Sequence, residues 1–185
     1  ILLNSALVNN GTMITQRVNS STPSVIIIKG TVQNNNILRI NQDSLLDVSS
    51  LVMDTAELQL LNGGVLSLFD VVVEVSIPVD LIIGNGSSIK GNGDIVTQGT
   101  VFVEAGGRIA PGSSPGVIVI VGNLSLFDGA ILDMELAGAG AGQYDAIEVL
   151  GDLSVGGQGP GSSAPAGVVV NVINLDNYDP SASSR

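Results

Sequence analysis

The chain predicts an all-β fold, a right-handed parallel β-helix (solenoid), on three observations. Short runs alternate apolar and polar residues with a period of two, the mark of half-buried strands. Turn residues recur at a spacing close to twenty: Gly64, Gly86, Gly106 and Gly129 are 22, 20 and 23 residues apart. The composition suits a thin, turn-rich object, with 24 Gly among 185 residues, 44% hydrophobic and only 12% charged residues. A unit of roughly 22 residues divides the chain into about eight coils stacked at about 4.8 Å, a rod roughly 40 Å long. The alternative is a β-sandwich, whose hairpins would pair neighbouring strands at spacings of about 8 to 12 residues. Spacings that short also occur here.

In order along the chain, Ala6-Leu7-Val8 reads as a strand, Asn9-Asn10-Gly11 as a turn and Met13-Ile14 as a second strand. Residues 20–24, with Pro23, form a turn, and residues 25–28 an apolar strand closed by Lys29-Gly30. The run from Val8 is echoed from Val32, 24 residues on, and Leu66-Ser67-Leu68-Phe69-Asp70 recurs letter for letter from Leu124, 58 residues on, close to three units. Residues 47–64 carry the one helical case: Val48, Val52, Ala56 and Leu60 are spaced at i, i+4, and Asn62-Gly63 would serve as a cap. Leu58 and Leu60 alternate with Glu57 and Gln59, so the strand reading is preferred.

Residues 91–157 give the clearest pattern. Val101 and Val103, Leu124 and Leu126, Leu132, Met134 and Leu136, and Ile147 and Val149 each alternate with polar neighbours. Gly106-Gly107, Pro111-Gly112, Pro115-Gly116, Gly122-Asn123 and Asp128-Gly129 turn the chain between them. The order IAPGSSPGVIVIVGNLSLFDGAILDMEL (residues 109–136), then Tyr144-Asp145-Ala146-Ile147-Glu148-Val149 and Gly151-Asp152-Leu153, resembles the passenger-associated β-strand repeat of bacterial autotransporter passengers and related surface proteins. The resemblance covers about seventy residues and implies a right-handed parallel β-helix at the bacterial cell surface, with Tyr144-Asp145 as the start of a strand. It implies no one activity, because such passengers share a scaffold and differ in what they do. The family's outer-membrane barrel is not in this sequence, which leaves the export route open. The division that follows is coils over 1–157, a Gly/Pro/Ser-rich loop over 158–167, and a final strand (168–173) with a tail to 185.

Charge and residue types exclude several functions. Six Lys and Arg against 17 Asp and Glu give a net charge of −11, which repels phosphate backbones and anionic lipid heads, so nucleic acid is not an expected partner. With no Cys there is no disulfide or thiolate metal site, and with no His a Ser–His–Asp triad is impossible. The longest apolar runs, such as 117–121, are far too short to span a bilayer, so no membrane insertion is expected. Ile1-Leu2-Leu3 leads at once into Asn4 and Ser5 with no basic segment before it, so no signal peptide is read and the chain looks processed or cut from a longer one.

The acidic residues Asp43, Asp47 and Asp54, and again Asp128, Asp133 and Glu135, would suit paired acid–base work or Ca²⁺ if they converged, but no Ca²⁺-loop spacing is present and they read as solvated outward positions. Gly84-Asn85-Gly86 and Gly91-Asn92-Gly93 lack the helix and third Gly of a dinucleotide loop. Sequons at Asn10, Asn19, Asn85 and Asn123 matter only in a host that glycosylates. The basic and aromatic residues read as scattered, which counts against a carbohydrate-active enzyme. The expectation is therefore an extracellular structural or adhesive rod or filament segment with no catalytic residue, cofactor or metal. Its partners would be flanking coils of one longer chain or further copies stacked end to end into a fibre, with a host surface or glycans as targets. The alternatives are a carbohydrate-active β-helix enzyme and a carbohydrate-binding or sandwich-type surface module.

Overall fold

A computed structural model describes residues 1–3, 6–15, 24–41, 44–53, 55–72, 75–112, 115–159 and 167–175. The expectations for Asn19, Asp43, Asp54, Pro23 and most of the Gly/Pro/Ser-rich loop and the tail lie outside these residues. The described chain is all strand and turn. Its strands are β1 (Leu2–Leu3), β2 (Leu7–Asn9), β3 (Thr12–Thr15), β4 (Ser24–Asn34), β5 (Ile37–Ile40), β6 (Ser44–Met53), β7 (Glu57–Val72) and β8 (Val75–Pro78). They continue as β9 (Leu81–Ile83), β10 (Ser88–Val103), β11 (Arg108–Pro111), β12 (Val117–Leu126), β13 (Ile131–Leu136), β14 (Ala146–Val149), β15 (Leu153–Val155) and β16 (Val169–Asn174). The described residues of 47–64 form no helix: Asn62-Gly63 lies inside β7, and the inward Leu58 and Leu60 take the strand period. No described helix is long and apolar enough to cross a membrane.

Pairing is parallel between all these strands except β7 and β8, which form an antiparallel hairpin at Phe69 to Val72. The parallel pairs fall into three series, one per face. The first joins β1, β4, β6, β7, β10, β12 and β14; Ile26, Leu46, Leu66, Ile95, Ile120 and Val149 stand in one column along it. The second joins β2, the far halves of β4 and β6, then β9, the end of β10, the end of β12 and β15. The third runs through β3, β5, β7, β10, β11, β13 and β16, with the column Met13, Leu38, Leu58, Ile89, Ile109, Leu132, Val170. Paired residues are 19 to 25 apart over much of the chain. The step widens to 29 to 31 across the hairpin, to 29 before β14 and β15, and to 38 before β16. This arrangement is consistent with a β-helix and not with a sandwich, because each layer pairs with the next and not with its own chain neighbours. In the second series β9 pairs with β10 and with no other described strand, so its ladder is interrupted between β6 and β9, beside the hairpin.

The core is the inward side of all three faces, where Ile28, Leu38, Leu46, Leu58, Leu66, Ile89, Ile95, Val101, Ile109 and Ile120 are fully buried. Among these apolar columns sits a polar one. Asn9 donates from Nδ2 to Asn34 Oδ1 at 2.7 Å and to the Ile37 carbonyl at 2.9 Å. Asn34 in turn donates to the carbonyls of Asn36 and Glu57 at 3.2 and 3.3 Å, so both buried amides hold the corner between the second and third faces.

Two sequence echoes do not coincide with layers. The 24-residue echo is one short of the true register, which pairs Val8 with Gln33 and Asn9 with Asn34. A one-residue slip would have turned the inward Asn ladder outward. The two Leu-Ser-Leu-Phe-Asp copies lie on different faces, Leu66 beside Ile95 on the first and Leu124 beside Val101 on the second. Of the four evenly spaced glycines, Gly64 belongs to another corner, where it pairs with Gly93. Gly86, Gly106 and Gly129 do stack, each third in a turn closed by an i→i+3 bond (Ser87 to Gly84, Gly107 to Glu104, Ala130 to Phe127, at 2.9 to 3.0 Å) and each at φ 77 to 83°. Their amides run on from layer to layer, Gly86 to the Gly106 carbonyl and Gly106 to the Gly129 carbonyl. Thr55 packs against Gly86 and takes φ 49° itself, which is strained for a β-branched residue.

Candidate functional site

Both described ion pairs, and a chain of polar side-chain bonds between layers, fall on the outside of the third face. Strand alternation dictates this: Arg39 lies between the inward Leu38 and Ile40, Glu57 and Gln59 flank Leu58, Lys90 follows Ile89, and Arg108 and Asp133 adjoin Ile109 and Leu132. Register then brings Arg39, Gln59 and Lys90 into one column and Glu57, Ser88 and Arg108 into the neighbouring one. Arg39 Nε donates to Gln59 Oε1 at 2.6 Å, Gln59 Nε2 donates to Glu57, and Lys90 Nζ stands 2.5 Å from the other Glu57 oxygen. Further along, Arg108 pairs with Asp133, whose second oxygen accepts from Asn171 Nδ2 at 2.8 Å.

Burial pushes the Glu57 carboxyl up, but the hydrogen bonds from Lys90 and Gln59 and the charges of Lys90 and Arg39 outweigh it and hold the group below the usual carboxylate range. Asp133 is likewise raised by burial and brought lower overall by Asn171, Arg108 and the charge of Lys90. Both carboxylates are thus ionised at neutral pH and committed to partners.

No family model, curated protein or solved structure matches this chain. The site reading therefore rests on its own geometry. Arg39, Lys90 and Arg108, three of the six basic residues, share one face, so the basic residues are less scattered than their spacing in the chain implies. The hairpin and the irregular loop lengths hide this, since Gln59 and Lys90 are neighbours although 31 residues apart. Two of the five aromatics also meet, Phe102 and Phe127 stacking at 5.8 Å on the second face.

The described acidic residues singled out in the sequence, Asp47, Asp128, Asp133 and Glu135, do not converge. Asp47 accepts from Ser67 Oγ at 3.0 Å on the first face. Asp128 is buried and not solvated as expected: its carboxylate gathers the amides of Gly157 and Gly167 and the side chain of Gln158 at 2.8 to 3.2 Å, tying Gly157 and Gln158 to Gly167 just ahead of β16. Asp133 is tied to Arg108, while Glu135 contributes its backbone amide to Asp145. Asp145 is buried as well, bonding Gly116 N at 2.7 Å and Glu135 N at 2.8 Å, so it locks the start of β14 to two other segments. Among the described residues no group of three or more Asp or Glu is placed to hold a metal ion.

Proposed function

We propose that the chain is a structural or adhesive segment of an extracellular rod or filament, built as a right-handed β-helix and carrying no catalysis. The observation that supports it is the third-face column, which runs without a break from Met13 to Val170. Stacked ladders of this kind set length and stiffness. Among the described residues seven positions follow one another along that column, and at about 4.8 Å per layer they span roughly 30 Å. The place at a bacterial surface rests on the repeat resemblance of 91–157. Partners in this reading are flanking coils of a longer chain or further copies meeting end to end, with a host surface or glycans as targets.

A carbohydrate-active enzyme is the weaker alternative, since a glycosidic acid must hold a proton near neutral pH and both Glu57 and Asp133 are held ionised. A carbohydrate-binding role is favoured by the cation-bearing third face. Electron microscopy of the native assembly tests the primary reading, with the chain expected inside an extended rod or fibre. Isolated compact particles, or release of reducing sugar from acidic or neutral polysaccharides by the purified chain, would overturn it.

A further inference from the structure

We infer that the outer side of the third face is a binding track for a linear acidic polysaccharide, an inference that rests on the adhesive reading above and names its ligand class. The pairs on this face are lopsided in depth. Lys90 is 45% exposed and its partner Glu57 only 22%; Arg108 is 36% exposed and Asp133 only 16%. The carboxylates are less exposed than the cations they pair with, so the N–H donors are the more accessible side of each pair. Arg39 adds a third cation to the row: its described bond runs from Nε to the neutral Gln59, and a guanidinium carries five N–H donors. A planar guanidinium fork with spare donors matches a carboxylate.

The donors are spread along the axis and not gathered in a cup. Arg39 and Lys90 stand two layers apart in one column and Arg108 one layer beyond Lys90, about 10 Å and about 5 Å of rise. That spacing suits an extended polyanion lying along the shaft better than a small anion. Polysaccharide is favoured over nucleic acid on two grounds. The described aromatic pair, Phe102 and Phe127, lies on the second face, and the exposed Tyr144 bridges Leu136, five residues along β13 from the position opposite Arg108, so bases would find no described stacking platform beside the three cations. The net charge of −11 also opposes a chain as densely charged as a phosphate backbone, whereas three local cations suffice for one carboxylate per sugar.

The test is titration of the purified chain with an oligogalacturonate of about ten sugars, and with the same oligomer after its carboxylates are reduced to alcohols, at about 20 mM salt where surface charges are weakly screened. The acidic oligomer is expected to bind at least about tenfold more tightly, with the difference largely lost at about 0.5 M salt. The double variant Arg39→Gln, Lys90→Gln is expected to lose most of that preference and Lys29→Gln, off the face, to keep it. Equal binding of the two oligomers, no binding of the acidic one, or full retention in the double variant would overturn the assignment, and so would single-stranded DNA of the same length binding as tightly. The comparison of oligomers uses the unaltered chain, so it stands even if a variant misfolds. A rod seen by microscopy with no preference for the acidic oligomer sinks this inference alone; preference without a rod sinks the rod and spares the track.

Discussion

At the scale of single residues, the corner column and the Asn ladder carry the sharpest consequences. A Cβ at Gly106 would lie 2.2 Å from Asn85 Oδ1 with φ at 77°, so Gly106→Ala is expected to cost about 2 kcal/mol in urea unfolding. Thr55 has the opposite problem. It holds φ 49° beside that column, and Thr55→Gly should stabilise by about 0.5 kcal/mol, the relieved strain of an L-residue set against the entropy of a new glycine. A loss of stability would show that Thr55 makes a contact worth more than its strain. Asn34→Ala would strip partners from Asn9 Nδ2 and two carbonyls, and about 2 kcal/mol of destabilisation is expected by the same measurement. Sequence reading found the glycines because turn chemistry is local. It missed Thr55 because nothing in a Thr announces positive φ, and it missed the buried roles of Asp128 and Asp145 because their donors come from 10 to 39 residues away.

At the scale of elements, the strands were legible from alternation and their pairing was not. Alternation reports which side of a strand is inward, and so Val101, Val103, Leu124 and Leu126 were placed on the buried side as found. Register depends on loop lengths, which the core does not constrain; hence the misaligned echo at Val8 and the two Leu-Ser-Leu-Phe-Asp copies on different faces. The hairpin illustrates the same freedom. Phe69 and Pro78 are already partners, so replacing 70–77 by Asn-Gly closes the strands with a two-residue turn, and the melting temperature should correspond to a change within about 1 kcal/mol. The third-face strands give a pH signature instead. Glu57 and Asp133 have depressed folded pKa values, so their contribution is present above the unfolded carboxylate range of about 4 and is lost as pH falls through the folded values. The melting temperature should drop on acidification below about pH 4, and drop less in a Glu57→Gln, Asp133→Asn variant; equal drops would place the acid-sensitive groups elsewhere.

At the scale of the whole molecule, the parallel layering was readable from a turn rhythm that survives variable loops, while the gathering of Arg39, Lys90 and Arg108 needed the register to be known first. Layering also sets how the shaft bears force. Hydrogen bonds between layers point along the stacking direction, so a pull along that axis loads the ladders of any one plane side by side, and a plane with fewer ladders yields first. The interruption between β6 and β9 leaves one such plane with two ladders, its second face joined by apolar packing around Leu51 and Leu81 without paired backbone. Stretched by optical tweezers from residue 1 to residue 175, the shaft should part there before any other plane. The chain crosses that plane between Met53 and Glu57, so the first step of lengthening at a set tension is expected from the parting of these two layers and not from fraying at the ends.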